Sequence, residues 1–378
     1  MTWEWKNLDE MVRPLVREAL LSIRPYVPGR PIQDVMREFG LARVIKMASN
    51  ENPLGPSPKA VAAIQAMLGE LHRYPDGAAQ DLRSAIAMHT GLPRDAVFVG
   101  NGSDEVIKLV AETFLEPGDE MLAPYPSFSQ YDFSAHVMGA TLAPVALAEG
   151  FAYELGEMRK HIRANTKLVV LCTPNNPTGT WLTHTEVAEF VDSLPSNVII
   201  VLDEAYNEYV DAPDPVRSVE LIQAGYAVLS LRTFSKMYGL AGMRLGYALG
   251  NPSLIRYLHQ ARAPFNVNAM AQAAAIAALT DTDHVARSRA SNLAGKEQLY
   301  RGLERLRVAY VPTQGNFLIA RVGDGERVFQ SLQEKGVIVR AGFLGLSEYV
   351  RVSIGTAEEN EQFLKTLADV LGKTADLR

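Results

Sequence analysis

An α/β fold is predicted for this chain: a mostly parallel central sheet flanked by helices, with a smaller α+β domain beside it. Three observations predict it. From residue 97 onward, short apolar runs at 97–99, 120–123, 168–172, 198–202 and 227–231 alternate with loops and helical spacing. That is the rhythm of β-α units whose strands are covered on both faces. The loops after these runs are rich in Gly, Pro and polar residues, at the strand ends where open α/β sheets bind ligands. Finally, 378 residues are enough for two domains. We expect a large domain at 46–282 and a small one built from both termini, 1–45 and 283–378.

In chain order, helical spacing from 8 to 21 precedes Arg24-Pro25-Tyr26-Val27-Pro28-Gly29, an arm that must extend or turn. A short apolar run at 44–47 leads into the loop Asn50-Glu51-Asn52-Pro53. Helices are expected at 58–71 and 80–89, with the loop His72-Arg73-Tyr74-Pro75 between them. The run 244–249 closes the sheet. An Ala-rich packing helix at 269–279 and a long amphipathic helix at 285–306 lead to the small domain's strands at 317–322, 337–339 and 349–354. No internal repeat or low-complexity tract interrupts this order.

Composition narrows the function classes. With 47% hydrophobic and 21% charged residues the chain has ample core, and a net charge of −6 gives no reason to expect nucleic acid or an anionic membrane as partner. One cysteine, Cys172, excludes a disulfide framework and a cysteine metal cluster. The seven histidines lack ligand spacing, so no metal is expected. No run approaches the ~18–20 apolar residues of a membrane span. The start lacks a basic-then-apolar signal pattern, and a cytoplasmic protein is expected.

Chemistry concentrates at Thr233–Tyr247, TFSKMYGLAGMRLGY. Lys236 follows a strand end, with hydroxyls at Thr233 and Ser235 before it and Arg244 eight residues on. Desolvation lowers the pKa of such an amine, and hydroxyls with an arginine suit a phosphate. An amine beside a phosphate site is what a pyridoxal 5′-phosphate Schiff base requires. Gly100-Asn101-Gly102-Ser103-Asp104-Glu105 lies between strand and helix, suited either to a phosphate or to a simple cap at Ser103. In Cys172-Thr173-Pro174-Asn175-Asn176-Pro177, Asn176 offers an amide to the crevice. Asp203, at a buried strand end, needs a partner, and a protonated pyridine nitrogen would be one. Tyr206 is spaced to reach a neighbouring ring oxygen. Phe128 suits either a ring-covering role or the core. Arg340 and Arg351 flank a Gly-rich turn, and Arg351, within a strand pattern, is the carboxylate-clamp candidate.

Together GNGSDE, TPNNPTG, DEAY, TFSK with Arg244, and YVRVSIGT resemble the fold-type I pyridoxal-phosphate-dependent aminotransferases. ASNENPLGPSP, HRYPDG and LAGMRLGY resemble the histidinol-phosphate aminotransferase branch, and the likeness runs from about residue 24 to 361. The resemblance implies that Lys236 forms the Schiff base and shuttles a proton. It also implies that Asp203 pairs with the pyridine nitrogen, and that Asn176 and Tyr206 contact the ring 3-oxygen. Gly102, Ser103, Asp104, Thr233, Ser235 and Arg244 would hold the phosphate, and Phe128 would stack on the ring where this branch often carries tyrosine. It implies a homodimer with shared sites, Tyr74 reaching the partner's cofactor phosphate. Arg351 would bind glutamate's carboxylate, while Tyr26, Asn50 and Arg340, with Asn316 nearby, would contact the substrate.

The expected reaction is amino transfer from histidinol phosphate to 2-oxoglutarate. A broad aromatic aminotransferase is the alternative, and a lyase or decarboxylase of the same fold is a third reading. A regulator of this fold would need a DNA-binding extension, for which the chain has no room.

Overall fold

The computed structural model describes residues 12–23 and 29–373. Tyr26 and Arg24 therefore lie outside the described residues. Eleven strands are described: β1 (Ile45–Lys46), β2 (Val97–Gly100), β3 (Glu120–Tyr125), β4 (Thr141–Ala146), β5 (Thr166–Cys172), β6 (Ile199–Asp203), β7 (Val228–Thr233), β8 (Gly246–Gly250), β9 (Phe317–Arg321), β10 (Val337–Ile338) and β11 (Tyr349–Ser353).

Seven of them form the central sheet in the order β2-β8-β7-β6-β5-β3-β4. Pairs from β4 to β7 are parallel, whereas β8 runs antiparallel to both β7 and β2. Alternate strand residues feed two cores. Val169, Leu171, Ile200, Leu202 and Leu249 face helices Gln80–Thr90, His184–Asp192 and Ala269–Leu279. Phe98, Leu168, Val170, Val201 and Leu231 face helices Ser103–Phe114, Gln130–Val137 and Pro252–Ala261. This two-sided burial explains why the strands read as unbroken apolar runs.

β4, TLAPVA, was not expected. It is the sheet's edge, half exposed, and carries Pro144, whose missing N–H an edge strand tolerates. At the other terminus, the expected helix 8–21 is, within the described residues, a 3-10 turn Arg13–Leu15 and a short helix Glu18–Leu21. Val16, extended at ψ 139°, ends the 3-10 turn and separates the two pieces. The expected helix 58–71 is α-helical only over Pro58–Met67 and tightens to 3-10 at Leu68–Glu70, around Gly69.

A second body surrounds β9 and β11, which pair antiparallel. Leu318, Ala320, Val350 and Val352 pack there with Leu299 and Leu303 of helix Thr282–Arg305 and with Phe363 and Leu367 of helix Ala357–Val370. β1 joins it by pairing parallel with β10. After β1 the chain runs Met47-Ala48-Ser49-Asn50 along the seam between this body and the ends of β5, β6 and β7, where Met47 O accepts from Ser353 N.

Candidate active site

Three parallel strands deliver their last residues to one place. β5 ends at Cys172, β6 at Asp203 and β7 at Thr233. The helix Ser103–Phe114 points its N-terminus there too. Gly246 on β8 allows this, because a Cβ on it would lie 2.4 Å from Ser103 N. Gly102, with φ 84°, is the helix cap and makes no side-chain cap bond, so Ser103 sits in the first turn and is not the cap. The turn is pinned from below by Glu105, whose carboxylate accepts from Asn101 N at 2.5 Å and Asn266 Nδ2 at 2.8 Å.

The resulting cavity, about 390 Å³, is of the size that small ligands occupy. Asn50, Ser103, Asp104, Phe128, Asn176, Asp203, Tyr206, Thr233, Ser235, Lys236, Arg244, Arg340 and Arg351 all line it. Gly102 lies just behind, and a Cβ there would meet Arg244 Nη2 at 2.6 Å. Tyr74 is not part of it: 83% exposed, it stacks on Phe265 with ring centroids 4.8 Å apart.

At one end Ser103 and Ser235 supply hydroxyls and the helix supplies amides, with Arg244 beside them; Thr233, on the same wall, donates its hydroxyl proton to Leu245 O and accepts from Ser235 N. Asp104 has its N–H among the first-turn amides of the helix, while its side chain serves a neighbour. Its carboxylate only accepts, and it accepts from Arg244 Nη2 at 3.1 Å, so it anchors the arginine. This donor set, with two glycines leaving no room for side chains, fits a phosphate.

In the middle stands Lys236. Its Nζ donates to Ser49 O at 3.0 Å and lies 5.7 Å from the Tyr206 ring. Burial, and then the nearby Arg351 charge, bring its pKa down to about 8, leaving much free amine at mildly alkaline pH. Asp203 is buried and pushed up to about 6. Burial is the cause, opposed by the Tyr131 hydroxyl donating at 2.6 Å and by Ala205 N. A buried, costly carboxylate of this kind favours a cationic partner. Phe128 meets Tyr131 edge-on.

At the other end Arg351 is buried on β11. Its Nη1 donates to Asn176 Oδ1 and its Nη2 to Ala48 O, both at 2.6 Å. Because Asn176 accepts through its oxygen, its NH₂ is left for the cavity. Arg340 joins Arg351 through paired backbone hydrogen bonds. Asn50, expected to touch substrate, lines the cavity and is also tied to protein: Nδ2 donates to Tyr206 Oη at 3.0 Å, and Oδ1 accepts from Ser353 Oγ. Asn316 holds the Asn50 carbonyl.

Sequence reasoning missed Tyr131, Ser353 and the carbonyls of Ala48 and Ser49. Tyr131 had a signal, lying three residues after Phe128 at the entry to a helix. Carbonyls have no signal in a sequence.

The family model for aminotransferase class I and II matches residues 42–367. Histidinol-phosphate aminotransferase of Moorella thermoacetica is 47% identical over 95% of this chain and 93% of its own length. That of Anaeromyxobacter sp. is 47% identical over 95% of this chain and its whole length. The crystal structure of histidinol-phosphate aminotransferase from Sinorhizobium meliloti in complex with pyridoxal 5′-phosphate superposes with a TM-score of 0.88. It shares 27% identity, covering 94% of this chain and 97% of that one.

Proposed function

The chain belongs to the class I and II aminotransferase family, and from that premise we propose that it transfers the amino group of histidinol phosphate to 2-oxoglutarate through pyridoxal 5′-phosphate. The observation that carries this reading is Lys236, an amine brought down to about 8, set between a hydroxyl-and-arginine pocket and the buried Asp203. When bound, the cofactor supplies an electron-withdrawing ring that stabilises negative charge at the carbon losing its proton.

The chain's own residues do the rest. Ser103, Ser235 and Arg244 would hold the phosphate end, with Thr233 bracing Ser235 through its hydroxyl, and Lys236 would be the point of attachment. Asp203, held in place by the Tyr131 hydroxyl, would keep the ring nitrogen protonated. Phe128 would cover one ring face, and Asn176 and Tyr206 would hold the ring oxygen. Once substrate is engaged, the Lys236 Nζ would be the base that takes and holds the proton of the substrate carbon. Arg351 grips the carboxylate of the 2-oxo acid, and its fork is pre-aimed by Asn176 and Ala48. Histidinol phosphate has no carboxylate, so its anionic group needs another cation, and Arg340 on the cavity wall supplies it.

The same reading includes a homodimer in which Tyr74 serves the partner's phosphate end, supported by the exposure of Leu71, Tyr74 and Phe265. It includes a large domain at 46–282 and a small one from 1–45 with 283–378. Ile45, packed with Leu318 and Val350, supports assigning the N-terminal segment to the small domain; Lys46 and Met47, which pair and pack there too, carry that body a residue or two past 45. A cytoplasmic location completes it; no helix among the described residues is long and apolar enough to cross a membrane.

A panel of amino donors with 2-oxoglutarate tests the reading. Glutamate formed fastest from histidinol phosphate is expected. A preference for phenylalanine, or release of ammonia or carbon dioxide, would overturn it.

A further inference from the structure

Among the residues around the cavity, Asn50 is conspicuous for its backbone. It is 1% exposed and held at φ 54°, a left-handed conformation that asparagine adopts more readily than most residues. All four of its polar groups are engaged. Its N–H donates to Ser353 Oγ at 2.8 Å, and Ser353 Oγ donates back to Oδ1 at 3.1 Å. Its carbonyl accepts from Asn316 Nδ2 at 3.0 Å, and its Nδ2 donates to Tyr206 Oη at 3.0 Å.

Counting protons gives this chain a direction. Ser353 Oγ already accepts the Asn50 N–H, so its one proton goes to Asn50 Oδ1. That fixes which end of the amide faces Tyr206: the NH₂. Were the amide turned over, Ser353 Oγ would receive two N–H donors and its own proton would lose the Asn50 acceptor. Tyr206 Oη thus accepts from Asn50, and its single proton points elsewhere, to the cavity that Tyr206 lines.

We propose that Ser353, Asn50 and Tyr206 form a one-way hydrogen-bond relay that commits the Tyr206 proton to the cofactor's ring oxygen, with Asn50 and Ser353 as positioning residues. This rests on the reading that the cavity holds pyridoxal 5′-phosphate with that oxygen at Tyr206. Burial pushes the Tyr206 phenol well up, so it stays a neutral donor. The charged groups around it are Lys236 from the loop after β7, Arg351 on β11 and Asp203 on β6. The relay begins on β11 and ends on the segment after β6. It therefore makes alignment of the C-terminal body a condition for correct polarisation of the ring.

A donor to the ring oxygen stabilises its anionic form and holds down the pH midpoint at which the bound cofactor changes colour. The test is that midpoint, read by visible absorbance of the holoenzyme. Asn50→Gly, which tolerates the left-handed backbone, is expected to raise it by about half to one pH unit. Tyr206→Phe should raise it at least as much, and adding Asn50→Gly to Tyr206→Phe should raise it no further. Ser353→Ala, a neutral change outside the cavity lining, should shift it the same way by less, again only when Tyr206 is present.

An unshifted midpoint in Asn50→Gly, or the same shift with and without the Tyr206 hydroxyl, would overturn the relay. Should Asn50→Gly fail to fold, Ser353→Ala decides on the same two criteria. A wild-type protein with no cofactor band would overturn the reading of the cavity itself, and is distinguishable from either result.

Discussion

Replacing Asp203 by asparagine separates what the carboxylate does for catalysis from what it costs the fold. Asp203 is 4% exposed, and its pKa in the protein is about 6 against 3.8 for the free side chain. At 1.36 kcal/mol per pH unit that difference is about 3 kcal/mol. The sign follows from proton counting. Between pH 3.8 and about 6 the folded apoprotein binds a proton that the unfolded chain has released, so stability falls as pH rises through that window and stays lower above it. At pH 8 the ionised group is buried, helped by the Tyr131 hydroxyl but without a counter-charge in contact among the described residues. Asp203→Asn removes that charge in the same volume. The apoprotein should therefore gain up to about 3 kcal/mol at pH 8, and close to nothing at pH 3.5 to 4. Thermal unfolding of cofactor-free protein at the two pH values measures this. In the cofactor-loaded enzyme the same change should lower kcat by about two to four orders of magnitude, because the ring nitrogen loses its anionic partner. A variant apoprotein no more stable than wild type at pH 8, or a fully loaded variant with unimpaired kcat, would refute the reasoning.

Gly246→Ala should weaken cofactor binding at least about tenfold, since its Cβ would meet Ser103 backbone 2.4 Å away and push the helix N-terminus off the phosphate. Gly156→Ala, in open space, is the control for equilibrium dialysis. Arg340→Ala should cut kcat/KM for histidinol phosphate by about tenfold or more while changing that for phenylalanine far less; equal losses in steady-state assays would make Arg340 structural. Tyr74→Phe should loosen cofactor binding by about tenfold in a protein that sediments as a dimer at assay concentration. A fully active monomer would contradict the shared site.

Much of the site was legible because its parts sit at the ends of apolar runs, where the chain must turn and side chains must face one another. Lys236, Asp203, Asn176 and Arg244 each lie in or beside a loop after a strand, and that placement alone brings them to one cavity. What stayed illegible depends on long-range pairing. The antiparallel direction of β8 lies in its pairing with β7 and β2, and a hydrophobic run carries no arrow. The edge strand β4 hid because half of it faces solvent and Pro144 argues against a strand. Asn50 was read as a substrate contact because its sequence neighbourhood says nothing of Ser353, 303 residues away, which turns its amide toward Tyr206. The same holds for Ala48 and Ser49, whose carbonyls carry Arg351 and Lys236.

The attachment of the cofactor to Lys236 is tested most directly by reducing the holoenzyme with borohydride and locating the modified residue by peptide mass spectrometry. The account predicts a single pyridoxyl-phosphate adduct on Lys236, at the end of the cavity floor where β7 leaves the sheet. An adduct on any other lysine, or none in protein that binds the cofactor stoichiometrically, would contradict it.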